Sequence, residues 1–161
     1  MSTRPSITFA RIATPKKGSV VVLAAEGGTL SEAALACDPQ GVLKKAAGVA
    51  DFTGKLAATL EVLAPHDTGY DRLVVIGAGK PDSLDERAWN RIGGAAYGTA
   101  KKAQDVSILI DVAGGEASAD DAAAVGFGIL LASYSFDKYK TKKDNGKADA
   151  KKPAKITILC A

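Results

Sequence analysis

The sequence predicts an α/β domain with a mixed, mostly parallel sheet and helices on both faces. The chain has 161 residues, a length that suits a single domain with one well-buried core. Hydrophobic residues make up 47% but aromatic residues only 6%, a mixture that favours helices packed on a sheet. Short β-branched runs alternate with segments of helical apolar spacing, which is the pattern of strands joined by crossover helices.

The first elements are two strands and two helical segments. Ser6–Ala13 alternates apolar and polar residues and is predicted as the first strand. Ser19–Ala25 is a continuous β-branched run, which is typical of a strand buried on both faces. Ser31–Ala36 is predicted as a short helical turn capped by its serine, and Pro39–Asp51 as a helix that opens on its proline.

Two more strands follow before the next helix. Periodicity leaves Lys55–Leu63 ambiguous, and its bracketing by Gly54 and Pro65 within strand length favours a strand. Arg72–Ile76 is the clearest β-branched run in the chain. The glycines of Gly77–Gly79 then predict a tight turn between this strand and a helix.

The helix after this turn has a strong start signal and costly glycines. Ser83 and Glu86 fit a capping box, in which each side chain bonds to the other residue's amide. Gly93, Gly94 and Gly98 each cost about 1 kcal/mol relative to alanine in a helix interior. The glycines therefore predict that one face of this helix packs very closely on the sheet.

The last third of the chain contains a strand, a helix and a strand. Val106–Val112 is predicted as a buried strand, and Ser118–Asp121 as the capped start of a helix. Lys155–Ala161 is predicted as the final strand. The predicted order is β-β-α-β-β-α-β-α-β. Between the last helix and strand, Asp137–Lys155 has the composition of a mobile, lysine-rich loop.

Composition narrows the class of protein. The net charge is +3, and its basic character lies in Asp137–Lys155, which holds eight lysines and three aspartates. No apolar run approaches the ~20 residues that span a bilayer, and the first residues do not resemble a signal peptide. Cys37 and Cys160 lie far apart without metal-ligand spacing. We therefore expect a cytoplasmic protein with reduced thiols and no membrane partner.

One candidate site is a weak anion contact at Gly77, Gly79 and Lys80. A strand, two glycines and a helix invite this interpretation, because helix N-termini attract anions. However, Asp82 stands where a dinucleotide fingerprint needs its third glycine. A tight structural turn is therefore the favoured interpretation, with anion contact as the alternative.

A second candidate is polyanion contact, for example with nucleic acid, through Lys138, Lys140, Lys142 and Lys143. Lysines gain affinity for phosphates by releasing counterions. The segment has no arginine for base readout, and Tyr139 is its single aromatic residue for stacking. A solvated loop is favoured over a nucleic-acid interface.

No catalytic or metal site is predicted from the residues. His66 is the only histidine, so a histidine metal centre cannot form. The acid pairs Asp85–Glu86 and Asp120–Asp121 fall at predicted helix starts, where the helix dipole accounts for them. The residues alone therefore predict a domain without an assembled active site.

Several strings resemble the N-terminal domain of the leucyl, or cytosol-type, aminopeptidase family. They are Phe52–Lys55, Tyr70–Lys80 (YDRLVVIGAGK), Trp89–Ala95 (WNRIGGA) and Gly126–Lys142 (GFGILLASYSFDKYKTK). The resemblance covers nearly the whole chain. It implies a macrodomain-like sheet between helices, so residues 1–161 are expected to form one N-terminal accessory domain.

The resemblance also implies what the parent protein does. Its C-terminal catalytic domain removes N-terminal residues, often leucine, with two divalent ions (manganese or zinc), and the parent is a homohexamer. The ligand string NTDAEGR belongs to that second domain and does not occur here, so this chain is expected to be non-catalytic. We expect the accessory domain to serve assembly and active-site access. The alternative is a stand-alone macrodomain-like module that binds a nucleotide or ADP-ribose.

Overall fold

The computed structural model describes residues 6–38, 41–63, 69–80, 84–100, 105–112, 118–143 and 155–160, with the backbone alone at 100 and 135–143. Within these ranges the strands are β1 (Ser6–Arg11), β2 (Gly18–Ala25), β3 (Thr29–Leu30), β4 (Thr59–Leu63), β5 (Tyr70–Gly79), β6 (Asp105–Leu109) and β7 (Lys155–Cys160). The helices are α1 (Glu32–Ala36), α2 (Val42–Val49), α3 (Glu86–Ala100) and α4 (Ala119–Lys143). None of these described helices has the length and hydropathy needed to span a bilayer.

The strands form one mixed sheet in the order β1-β7-β6-β2-β5-β4. The first five strands of this order run parallel to their neighbours. β4 is antiparallel to β5, and the two-residue β3 is antiparallel to the end of β2. The predicted mixed, mostly parallel sheet is confirmed.

The centre of the sheet is buried on both faces. All four residues of Val20–Leu23 in β2 are 0% exposed, as a continuous apolar run in a central parallel strand requires. On one face, Val21 and Leu23 belong to a core completed by α3 and α4. On the other face, Val20 and Val22 pack in a core with residues of α1 and α2. Helices therefore cover both faces of the sheet, as the sequence predicts.

The two short helices are capped by side chains. The Ser31 hydroxyl accepts a hydrogen bond from the Ala34 amide at 3.2 Å, which confirms the predicted cap of α1. The Asp38 carboxylate accepts from the Leu43 and Lys44 amides at 3.0 and 3.2 Å. Because Asp38 supplies these acceptors, α2 begins at Val42 and not at the predicted Pro39, which lies outside the described residues.

The two long helices differ in how well their starts were predicted. At α4, Ser118 and Asp121 bond reciprocally, at 2.9 and 3.2 Å, so this capping box is confirmed. At α3, Asp85 Oδ1 accepts from the Ala88 amide at 2.8 Å, which makes Asp85 the cap. Ser83 lies outside the described residues.

Some element bounds differ from the predicted ones. β4 begins at Thr59 because Lys55–Ala58 forms a turn, and β6 ends at Leu109. β3 was not predicted, since two residues carry no periodicity. α4 continues to Lys143, so the first seven residues of the predicted loop are helical. Residues 144–154 lie outside the described part of the chain.

One of the three α3 glycines, Gly93, makes a close approach, and it does so against α4 and not against the sheet, which corrects the predicted role. A Cβ at Gly93 would overlap the carbonyl oxygen of Val125, and a Cβ at Gly128 would overlap the backbone of Asn90. The two helices therefore cross backbone to backbone at these positions. A Cβ at Gly94 or Gly98 would meet no atom within 4 Å.

We expect Gly93→Ala to destabilise the chain and Gly94→Ala to stabilise it. The methyl group that alanine adds at position 93 would force the helices apart, at about 1–3 kcal/mol, the usual range for overpacking. Gly94→Ala meets open space and gains helix propensity, about 1 kcal/mol. Urea unfolding of both variants measures the difference, and equal free energies of unfolding would contradict the close crossing.

Candidate functional site

The carboxyl edge of the sheet is the candidate location for a ligand site. In α/β sheets, ligands bind outside the carboxyl ends of parallel strands. Here β2 ends at Ala25 and is followed by Gly27 and Gly28, while the neighbouring β5 ends with Gly77 and Gly79. Two of the residues predicted to contact an anion therefore lie at this edge.

The chain fills this edge with its own backbone. The Gly77 amide donates to the Ala58 carbonyl at 2.7 Å, and the Ala57 amide donates to the Gly77 carbonyl at 2.8 Å. The Gly79 amide donates to the Gly54 carbonyl at 2.9 Å. We call residues 53–58 the edge strap, because they lie across the end of β5.

The edge strap also reaches the turn after β2. The Gly27 amide donates to the Thr53 carbonyl at 2.7 Å, and the Glu26 amide donates to the Gly79 carbonyl at 2.8 Å. A Cβ at Gly77 would overlap Lys55 and Gly54, and Gly54 itself has φ +78° against the Ala25 carbonyl. Glycine is thus required at both positions by a close backbone approach.

These contacts change the interpretation of the predicted anion site. Gly77–Gly79 is the end of β5 and not a tight turn. The amides of Gly77 and Gly79 both donate to carbonyl oxygens, so neither points at a ligand. Lys80 is exposed just beyond the strand. Anion contact at Gly77, Gly79 and Lys80 stays a prediction, with these two amides already bonded inside the domain.

A small cavity lies beside the strap, between the end of β2 and α2. It encloses about 230 Å³. Its lining is mostly apolar, and it includes Leu30, Leu43, Phe52 and Val75 with Lys44 as its charged member. Ligand pockets are usually about 300–1,000 Å³ with several converging polar groups. This cavity is smaller, and Lys44 is the charged side chain in its lining.

The remaining predicted residues are described by their backbone alone or lie outside the described part of the chain. Lys138, Lys140, Lys142 and Lys143 lie on the last turns of α4, and their side chains are outside the described part of the structure. Contact with a polyanion through them stays a prediction. His66 is also outside the described residues.

The described residues do not fit a divalent metal centre. Across the described ranges, no three His, Cys, Asp or Glu side chains come close enough together to hold an ion. Two-metal hydrolysis requires several carboxylates around two ions ~3.5–4 Å apart. No catalytic step through a metal is therefore derived for this part of the chain.

Cys37 and Tyr70 form a buried pair of titratable groups that the sequence does not predict. Cys37 is 0% exposed, and its thiol is hydrogen bonded to the hydroxyl of Tyr70, which itself donates to the Pro15 carbonyl at 2.7 Å. Burial raises the pKa of the Cys37 thiol, and the Tyr70 hydrogen bond partly offsets that rise. Burial likewise raises the pKa of Tyr70. Both groups are neutral packing elements at pH 7.

Comparison with known sequences finds one matching family. Residues 20–143 match the family described as "Cytosol aminopeptidase family, N-terminal domain". A probable cytosol aminopeptidase of Chelativorans sp. (strain BNC1) is 54% identical over 161 residues, which cover 100% of this chain and 32% of that protein. The corresponding protein of Agrobacterium fabrum is 42% identical and is covered to 33%. The chain thus spans about a third of these relatives.

Solved structures share the fold. A mutant of tomato leucine aminopeptidase superposes with a TM-score of 0.70 and 19% identity, covering 99% of this chain and 33% of that chain. The macrodomain of Mycobacterium tuberculosis DarG superposes with a TM-score of 0.60 and 11% identity, covering 98% and 99%. At these identities the likeness concerns the fold alone. It confirms the predicted macrodomain-like architecture.

We expect the free energy of unfolding to fall as pH rises above 9. The folded-state pKa values of Cys37 and Tyr70 are raised, so the unfolded chain releases its protons first. Their contribution is complete below the thiol's ordinary pKa of 9.0 and is lost as pH rises above it. Urea unfolding between about pH 8 and about pH 10 measures this fall.

The matched controls are Cys37→Ala combined with Tyr70→Phe, and Tyr134→Phe at a tyrosine that is 58% exposed. The double variant should lose less stability over the same pH interval than the unaltered chain does. The Tyr134 variant should follow the unaltered chain. Identical pH profiles for the double variant and the unaltered chain would contradict the assignment.

Proposed function

This chain belongs to the cytosol aminopeptidase family, as its N-terminal domain, and from that premise we propose that it is a non-catalytic module of a longer exopeptidase. The longer protein removes N-terminal residues, often leucine, from peptides. Its catalytic groups and two divalent ions, manganese or zinc, lie in the two thirds of the polypeptide that follow. This domain contributes to assembly and to active-site access.

The observation that carries the proposal is the edge strap. Residues 53–58 occupy the edge of the sheet at which α/β domains bind ligands, and they do so through backbone hydrogen bonds to Gly27, Gly77 and Gly79. A domain that uses this edge for its own packing is suited to a structural role. The chain spans about a third of the length of its relatives. The remaining two thirds are long enough for a catalytic domain.

The cellular setting and the assembly belong to the same proposal. The family's name and the reduced-thiol interpretation of Cys37 and Cys160 favour the cytoplasm. The resemblance to leucyl aminopeptidases favours a homohexameric parent. In that assembly the present domain packs against its own C-terminal catalytic domain.

A stand-alone nucleotide or ADP-ribose module is not favoured. Dinucleotide sites use free backbone amides at a strand-to-helix turn to hold phosphates. Here the Gly77 and Gly79 amides are bonded to Ala58 and Gly54. The fold is shared with a macrodomain, but here residues 53–58 occupy the carboxyl edge of the sheet.

We expect the 161-residue chain to be inactive on leucine p-nitroanilide with Mn²⁺ or Zn²⁺, and the longer polypeptide to turn it over. The described residues supply no cluster of metal ligands, and the proposed catalytic groups lie beyond them. A chromogenic assay of the released p-nitroaniline measures this. A mock purification controls for host peptidases. Turnover by the folded chain that EDTA abolishes would overturn the proposal.

We expect ADP-ribose and inorganic pyrophosphate to leave the melting temperature of the chain unchanged at millimolar concentration. A ligand at one hundred times its Kd would stabilise the folded state by about 2.7 kcal/mol, which a thermal shift detects readily. Lys80→Ala is the matched control for nonspecific salt effects. A shift in the unaltered chain that this variant lacks would revive the anion site.

A further inference from the structure

The solvent-facing side of α4 is a stripe of large apolar side chains. Four residues at helical spacing share this side with exposures of 44–58%: Phe127, Leu130, Leu131 and Tyr134. Positions three, four and seven apart lie on one side of a helix. We call these four residues the α4 stripe. No residue from 122 to 136 is charged, so the helix places no charge beside the stripe.

The opposite side of α4 already has its partners. Val125 and Ile129 are 0% exposed in the core that α4 shares with α3 and the sheet. Gly128 lies against the backbone of Asn90 on α3. A soluble surface helix normally carries polar residues opposite its buried side, and a helix that is apolar all round is normally buried. Within the part of the chain that the structure describes, the α4 stripe therefore lacks the neighbours that cover apolar side chains of this size in most proteins.

The stripe continues onto the edge strand β1. Phe9 is 54% exposed, and a Cβ at Gly126 would lie 3.4 Å from its ring. Phe9 is also the register partner of Ile158 in β7. The apolar surface thus borders β7, the last described strand, from which the family's relatives continue into their remaining two thirds.

We infer that the α4 stripe and Phe9 form the surface on which the C-terminal part of the same polypeptide docks; this inference rests on the proposed function. The chain is an N-terminal domain and spans about a third of its relatives. The following part is therefore tethered next to the stripe. Its matching surface is apolar and uncharged, since α4 presents no charge there.

The size of the stripe favours a tethered occupant over a second copy. Four half-exposed side chains of this size offer on the order of 400 Å². A stable complex between separate chains buries about 800 Å² on each partner. A covalent tether raises the effective concentration of its partner to about millimolar, so a smaller apolar surface suffices.

Cysteine labelling tests the inference directly. Leu131→Cys is placed in a Cys160→Ser background, in both the 161-residue chain and the longer polypeptide, and its reaction with N-ethylmaleimide is followed by peptide mass spectrometry. We expect labelling at position 131 to be at least about tenfold slower in the longer polypeptide, because a docked surface reacts only when it opens. Leu130→Cys provides a second reporter should the first variant fold poorly.

Leu63→Cys is the matched control. Leu63 is an exposed leucine at 62%, on the edge strand β4 at the other end of the sheet. Its labelling should be equal in the two proteins. Equal labelling at positions 130 and 131 in both proteins would overturn the inference. Labelling of the shorter chain that slows as its concentration rises would also overturn it, in favour of a second copy.

The outcome is separable from that of the proposed function. Activity on leucine p-nitroanilide is measured on the same longer polypeptide. Protection at position 131 without metal-dependent turnover would refute the aminopeptidase proposal and leave the docking surface intact. Turnover without protection would refute the docking surface alone.

Discussion

Strand β2 has no face in contact with water, and the other layers are arranged around that fact. Val20–Leu23 alternate between two cores, so each core needs helices of its own. α3 and α4 cover one face, and α1 and α2 cover the other. Burial of apolar side chains at about 25 cal/mol per Å² is the main stabilising contribution in such a sheet. Removing either pair of helices would expose half of the central strand.

The carboxyl edge shows how one fold can be used for different purposes. The sheet order and helices resemble those of a macrodomain, yet Gly54 and Gly77 let the edge strap approach the end of β5. A backbone amide that donates to a carbonyl of the same domain is not free to bind a phosphate. The function of such a domain therefore depends on which group occupies this edge, a ligand or the chain itself. The shared fold does not determine the function.

Local signals in the sequence predicted most of the fold, and long-range contacts account for what was missed. The apolar run of β2 and the box of Ser118 and Asp121 depend on neighbouring residues, so both were predictable. The roles of Gly77 and Gly93 depend on Gly54 and Val125, which are remote in sequence. The sequence shows that a glycine destabilises a strand or a helix at these positions. It does not show which backbone segment each glycine contacts. For the same reason, the sequence indicates Gly77 and Gly79 as special positions but does not show that their amides donate to Ala58 and Gly54.

The backbone crossing of α3 and α4 has a mechanical consequence. At Gly93 and Gly128 the helices touch through main-chain atoms, without flexible side chains between them that could absorb a displacement. Packed interiors have low compressibility and transmit strain. The two helices should therefore move as one rigid lever. A force applied along the outer side of α4 would therefore be transmitted to α3 through these backbone contacts.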